Sequence, residues 1–220
     1  MHDLTNRLIS IEKEIQLENT NRNKHFLPNI IAVSKTFSLT EILPLINHGH
    51  IHFGENKVQE AIEKWTEIKR DFTKIKLHMV GKLQTNKVKY AVSLFDYIHS
   101  LDSIKLAKKI STEQRKLNKK IKIFVQVNIG NESQKSGLAP DKINDFLSVC
   151  TKELNLEIIG LMCLPPNNDD SFKYFKEMKK LLSNTELNQL SMGMSNDYLE
   201  AIKCNSTFIR IGSKIFGERN

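Results

Sequence analysis

The chain has 220 residues, 33 Lys+Arg against 25 Asp+Glu, a formal net charge of +8, and 40% hydrophobic and 26% charged residues. This is ordinary globular composition, which excludes disorder as the main state, and the length suits one large domain with a full core. The basic residues are spread along the chain, densest at 117–122 and 176–180 on predicted helices or their ends, so solvated helical faces account for the charge better than a nucleic-acid site; zinc-finger spacing and an aromatic-basic RNA-binding stretch are both absent.

The chain opens on a predicted amphipathic helix, with Leu4, Leu8, Ile11 and Ile15 at helical spacing. Eight short apolar runs follow as candidate strands: 29–34, 51–54, 77–81, 97–100, 121–129, 156–164, 190–194 and 208–212. Helical patterns lie between them: 39–47 behind a cap at Ser38 or Thr40, 58–70, 87–94, 103–117 with Ser103 in the capping position, 140–152 with Pro140 in the first turn, 171–182 and 196–203, with a short turn from Lys214. Alternating strands and helices argue for parallel βαβ units. Runs such as IKIFVQV and EIIGLMCL suit strands buried on both faces. Eight of them in this length predict a single-domain (β/α)8 barrel over residues 1–220 with an extra N-terminal helix; a doubly wound open sheet is the alternative.

Cys150, Cys163 and Cys204 are too scattered for a disulfide framework, and no CxxC occurs, which fits a reducing compartment. The polar N-terminus lacks the apolar core of a signal peptide, and no apolar stretch approaches the roughly 20 residues that span a bilayer. The expectation is a cytoplasmic protein with no membrane, nucleic-acid or metal partner.

In such barrels the site lies at the carboxyl ends of the strands. There stand Lys35 after the first, FGENK with Asn56 after the second, His78 within the third, Met194 and Ser195 at the seventh, and Arg210, Gly212 and Ser213 at the eighth. A lysine reaching to solvent is the commoner reading of Lys35 alone. Desolvated beside another cation, however, its amine loses its proton more readily and can form a Schiff base with an aldehyde. Ser195, placed to cap the helix after it, and Gly212-Ser213 on the neighbouring strand suggest a phosphate cradle; an ordinary cap and an ordinary turn are the alternative. Arg210 lies between Ile209 and Ile211 in an apolar strand, needing either a carboxylate partner or a ligand atom such as a ring nitrogen.

Seven motifs carry a resemblance: AVSKT (32–36), HFGENKVQE (52–60), HMVGKLQTNK (78–87), VNIGNESQKSGL (127–138), GLMCLPP (160–166), LSMGMSNDYLEAI (190–202) and STFIRIGSKIFGER (206–219). Together they make the chain similar to the pyridoxal-phosphate homeostasis proteins, the YggS/PROSC family. The resemblance implies a barrel like the N-terminal domain of alanine racemase, with Lys35 holding pyridoxal 5′-phosphate as a Schiff base. It further implies Ser195, Gly212 and Ser213 on the phosphate, Arg210 at the pyridine nitrogen, and Asn56, His78 and Met194 near the ring or the pocket wall. Function is then expected to be a non-catalytic carrier and buffer of the cofactor in vitamin B6 and amino-acid homeostasis, a monomer with enzymes that make or use the cofactor as partners. A weak racemase-like enzyme is the alternative, and a cofactor-free Schiff-base aldolase stands behind it. Lys57, Lys82 and Lys135 are candidates for a second cofactor lysine, with nothing to select one. Three positions depart from the family pattern: Ser38 where proline is frequent, Asn205 where glycine is usual, and Met79-Val80 where Phe-Ile is common.

Overall fold

The computed structural model describes residues 3–21, 26–166 and 169–218. All eight expected strands form: β1 Asn29–Val33, β2 His52–Glu55, β3 Lys76–Met79, β4 Tyr97–Leu101, β5 Lys122–Val127, β6 Glu157–Cys163, β7 Gln189–Met194 and β8 Phe208–Ile211. They pair in parallel in chain order, and β1 pairs with β8 to close the barrel, which removes the open-sheet alternative. The β-branched and apolar runs make this possible, because a parallel strand here is covered by helices outside and by side chains inside. Ile31, Val33, Phe124, Met162 and Phe208 pack within the barrel, while a second and larger apolar shell joins strands to helices.

The helices are α1 Asp3–Asn21, α2 Leu39–Asn47, α3 Val58–Trp65, α4 Ile68–Asp71, α5 Val88–Leu94, α6 Ile104–Leu117, α7 Ile143–Ser148, α8 Ser171–Ser183, α9 Tyr198–Lys203 and α10 Ser213–Phe216. Ser38 caps α2 in a reciprocal box with Glu41, and Ser103 caps α6 through the Leu106 N–H. The helix expected over 58–70 is broken into α3 and α4, and the one over 140–152 begins as a 3₁₀ turn and ends as a π turn over Val149–Glu153. Asn205 takes the left-handed conformation (φ 67°), which asparagine tolerates where glycine is expected.

The additional helix α1 buries Leu4, Leu8, Ile11 and Ile15. Its Glu14 carboxylate accepts from the Tyr198 hydroxyl of α9 and from Lys214 Nζ of α10 (2.8 Å), so α1 is tied to the loop after β8. No helix among the described residues is long and apolar enough to cross a membrane.

Candidate functional site

A cleft of about 1150 Å³ opens at the carboxyl ends of the strands. Its walls come from the turn after β1 (Lys35, Phe37), Asn56 after β2, Val80 and Gly81 after β3, 164–166 after β6, 194–197 after β7, and Gly212 and Ser213 after β8, with Arg210 of β8 as its floor. Seven of the eight residues expected from the sequence thus share one cleft. His78 is not among them.

The Lys35 turn is held from two sides. Ser34 is fully buried, and its hydroxyl donates to Glu55 Oε1 (2.8 Å). Lys64 of α3 donates from Nζ to the Ser34 carbonyl (2.8 Å) and to the same carboxylate oxygen (2.9 Å), and Trp65 Nε1 adds a third donor (3.0 Å). On the other side Phe37 stacks on Phe216 of α10, centroids 4.6 Å apart. Between them Thr36 is forced to φ 70°, the left-handed region that a β-branched residue avoids. Strain of this kind, of order 1–3 kcal/mol, persists only where the surroundings over-determine it. The short loop therefore keeps Lys35 at the rim of the cleft.

Ser195 does not cap a helix as expected. α9 begins two residues later than the pattern suggests, with Asp197 at its N-cap, and the Asp197 carboxylate turns back to the Met194 N–H (2.6 Å). Burial raises the Asp197 carboxyl above its ordinary value, the Met194 N–H and the Arg210 charge opposing that rise. Freed from capping, the Ser195 hydroxyl accepts long bonds from the backbone N–H groups of Gly212 and Lys214, both 3.3 Å. Two backbone donors from the loop after β8 and a hydroxyl from the loop after β7 thus converge on one point of the cleft wall. Met194 lies on the same wall, 38% exposed.

Asn56 is positioned by close packing. A Cβ on Gly81 would stand 2.3 Å from the Asn56 carbonyl oxygen, so only glycine lets the two loops approach this closely. The Asn56 Oδ1 is buried with no hydrogen-bond partner among the described residues, an acceptor poised at the cleft.

Arg210 is 5% exposed. Its Nη1 donates to Ser191 Oγ (2.6 Å) and its Nη2 to the Cys163 carbonyl (2.8 Å); none of the ion pairs among the described residues includes it, so the carboxylate alternative read from the sequence is not what is found. Burial draws its pKa down from the usual value, against the pull of Cys163 and Asp197.

His78 is corrected to a place one layer deeper. It is fully buried in the barrel interior, stacked on Tyr97 (4.2 Å) and bonded to His52 and His99 (2.9 Å each). The reason is register: Val80, two residues further along the same inward face, is the one that reaches the cleft. Of the second-lysine candidates, none lines the cleft; Lys135 reaches its edge, donating to the Pro165 carbonyl (2.9 Å).

Sequence reading misses Glu55, Lys64 and the histidines around His78. The available signal is a histidine inside each of three successive strands, HF in β2, LHM in β3 and IHS in β4, which becomes visible only once the strands are set side by side.

Residues 15–220 match the family model described as alanine racemase, N-terminal domain. The chain is 35% identical over 224 residues to the pyridoxal phosphate homeostasis protein of Haemophilus influenzae, covering 97% of this chain and 94% of that one. It is equally 35% identical to the one from Helicobacter pylori, over 99% and 100% of the two chains. Among solved structures it is similar to PipY of Synechococcus elongatus with pyridoxal phosphate bound, at 31% identity and a TM-score of 0.85, covering 97% and 100% of the two chains. Alanine racemase of Clostridium difficile shares the fold at 14% identity and a TM-score of 0.70, this chain spanning 57% of it.

Proposed function

The chain belongs to the family of pyridoxal phosphate homeostasis proteins, and from that premise we propose that it binds pyridoxal 5′-phosphate through Lys35 and carries or buffers it without sustained catalysis. The observation that carries the reading is the joint presence, in one cleft, of a primary amine at the rim, a pair of backbone donors converging on Ser195, and a buried arginine with no carboxylate partner. When bound, the cofactor supplies an aldehyde that condenses with a primary amine, a pyridine ring and a phosphate dianion.

The donor set fits those three groups. Ser195 Oγ, with the N–H groups of Gly212 and Lys214 and the hydroxyl of Ser213, supplies the phosphate end; the long 3.3 Å bonds to Ser195 are ones a phosphate oxygen replaces at little cost. Arg210 faces the ring nitrogen as a donor with a fixed charge, which disfavours protonation there and makes the ring a poor electron sink. Asn56 brings its unused acceptor, and Met194 packs on the ring. Racemisation needs a second proton carrier besides the lysine; the described residues that line the cleft offer only the carboxyls of Asp169, Asp197 and Glu218 for it, Asp197 is turned to the Met194 N–H, and Tyr198 is bound to Glu14 and Lys214 instead. This favours carriage over racemisation. Residues 1–220 act as one binding unit, as a monomer in the cytoplasm, with enzymes that make or use the cofactor as donors and acceptors. Buried, high-pKa thiols at Cys150 and Cys163, each pushed up to about 12, suit that compartment.

The test is absorbance of the purified protein with pyridoxal phosphate, followed by borohydride reduction and mass mapping. Label on Lys35, lost in Lys35→Ala, is expected; saturation of the folded protein with no label on Lys35 rejects the covalent reading. Continuing α-proton exchange of amino acids in deuterated water would reject the carrier in favour of the enzyme.

A further inference from the structure

A file of hydrogen bonds crosses the barrel interior. Arg210 Nη1 reaches Ser191 Oγ (2.6 Å), Ser191 Oγ lies 2.8 Å from His99 Nδ1, His99 Nε2 lies 2.9 Å from His78 Nδ1, and His78 Nε2 lies 2.9 Å from His52 Nδ1. Ser191, His78 and His99 are fully buried, and His52, first residue of its strand, is half-buried at the opposite end of the barrel from the cleft. Tyr97 stacks on His78 and Phe124 on His99 (4.4 Å), which covers the faces of the two inner rings.

We propose that His52, His78, His99 and Ser191 are positioning residues for Arg210, forming a hydrogen-bond file with one fixed direction whose lone pairs all face the guanidinium and take the place of a counter-carboxylate. The direction follows from donor arithmetic. Arginine can only donate, and a serine hydroxyl carries one hydrogen. With Arg210 as donor to Ser191, the other group within bonding distance of that hydroxyl among the described residues is His99 Nδ1. If His99 carried its proton on Nδ1, Ser191 would receive two donors and its own hydrogen would be buried without an acceptor. Ser191 therefore donates to Nδ1, His99 donates from Nε2 to His78, and His78 donates from Nε2 to His52. Each ring is neutral and of the same tautomer, and each dipole adds to the next in a low-dielectric interior.

A buried guanidinium without such compensation is costly. The file supplies it without placing negative charge at the floor of the cleft. A carboxylate at that position would draw a proton onto a ring nitrogen above it; neutral imidazoles do not. In this the inference deepens the proposed function and rests on it, whereas the direction of the file stands on the protein alone.

The charged groups around the file oppose its protonation. Arg210 on β8 faces His99; Lys69 on α4 and the neighbouring imidazoles face His78; Lys76 on β3 faces His52, with Asp96 ahead of β4 as the one opposing charge. A proton taken up at His52 would have to turn all three rings to the Nδ1–H form and bring a second N–H donor to Ser191, beside the cation. Desolvation, the largest cause, and these charges push His52 down to about 4 and His78 and His99 well below the ordinary value.

The experiment is imidazole ¹⁵N NMR on the full chain, without and then with pyridoxal phosphate, from about pH 7.5 to about 5.5. Neutral Nε2–H tautomers at His52, His78 and His99 are expected throughout and kept in Ser191→Thr, while the His99 Nδ1 resonance shifts in Ser191→Ala, where its donor is gone. An Nδ1–H tautomer or a charged ring at His99 or His78 in the unaltered protein overturns the file, as does an unshifted His99 Nδ1 resonance in Ser191→Ala. These readings need no cofactor, so they decide the file whether or not Lys35 is the attachment point. In the loaded protein, Ser191→Ala is expected to release pyridoxal phosphate about tenfold faster, the effect of one weakened charge-assisted hydrogen bond, with Ser191→Thr restoring the slower rate. Equal release from both variants overturns the link to Arg210.

Discussion

Lys64 and Arg210, two cations with little exposure, are compensated in opposite ways in this barrel. Lys64, its side chain 11% exposed, is paired with Glu55, fully buried, and the pair also takes in Ser34 and Trp65. Arg210 is hydrogen-bonded only to neutral groups, a carbonyl and a hydroxyl with the imidazoles behind it, and the Asp197 carboxyl acts on it through space without an ion pair. The first arrangement cancels charge and fixes a backbone turn, the one that carries Lys35. The second leaves a net positive charge at the cleft floor, where a ligand can feel it. A carboxylate is bonded directly to the cation where rigidity is required, and makes no ion pair with it where the field of the cation is itself useful.

Acid is the broadest way to break the comparison, because it attacks the neutral network directly. His50 and His52 are held down at about 4, and burial holds His78 and His99 well below the ordinary 6.5. Between those values the unfolded chain binds protons that the folded chain refuses. Stability therefore rises with pH across this window, and is lost as pH falls from 6.5 towards 4. Each histidine adds a slope of up to about 1.4 kcal/mol per pH unit, a large share of an ordinary domain's stability. The lowered carboxyls of Glu14 and Glu41 act in the same direction, but only below their ordinary 4.5, so the upper part of the window isolates the histidines. Denaturant midpoints measured at successive pH values check this; a flat profile from pH 6.5 to 4.5 contradicts it.

The ion pair is broken from the other side. Lys64→Met strands the buried Glu55 carboxylate, one oxygen of which already lacks a partner, and is expected to cost about 3–5 kcal/mol. Adding Glu55→Gln should recover part of that loss, since the orphaned charge is then gone. Ser191→Ala in the neutral file removes an acceptor rather than a counter-ion and should cost less, about 1–3 kcal/mol. Thermal or denaturant unfolding of the four proteins ranks them. Equal costs for Lys64→Met and Ser191→Ala would mean the two networks do not differ as described.

How much of this is legible along the chain depends on distance in sequence. The strands are, because their β-branched runs declare double burial locally. Lys35, Ser195, Gly212 and Ser213 are, because each follows directly on a strand whose end points at the cleft. The break between α3 and α4 is not, since no glycine or proline marks 66–67. His78 reads as a cleft residue because the layer it occupies is set by the register of β3 against β2 and β4, with Gly54 opposite His78 and His78 opposite Tyr97. Glu55 reads as one carboxylate in HFGEN; its burial is created by Lys64 and Trp65 from α3 and by Ser34 from β1's end, three segments that meet only in the fold.

A third and smaller test disturbs the ion-paired side alone. Gly81→Ala drives a methyl against Asn56, next in chain to Glu55; the three atoms nearest to that methyl all belong to Asn56, none of them to the histidine file. The expected outcome is weaker pyridoxal phosphate binding, about tenfold, with the imidazole ¹⁵N pattern unchanged. Overpacking of this type costs roughly 1–3 kcal/mol, and here it is spent on moving a loop of the site.

The smallest expected effect concerns the strain that the Glu55–Lys64 pair sustains. Thr36 sits at φ 70° between two anchors, Ser34 held by the pair and Phe37 held by Phe216. Asparagine tolerates this region, so Thr36→Asn should stabilise the fold by about 1 kcal/mol. If the ion pair is what imposes the conformation, the gain belongs to the intact pair and shrinks in the Lys64→Met background, where the Ser34 carbonyl has lost its donor and the turn can relax. A double-mutant cycle on Thr36 and Lys64 measures that difference directly. Additive effects would show that the turn is held by Phe37 and the chain around it, and that the charged pair stabilises the barrel without shaping the loop that presents Lys35.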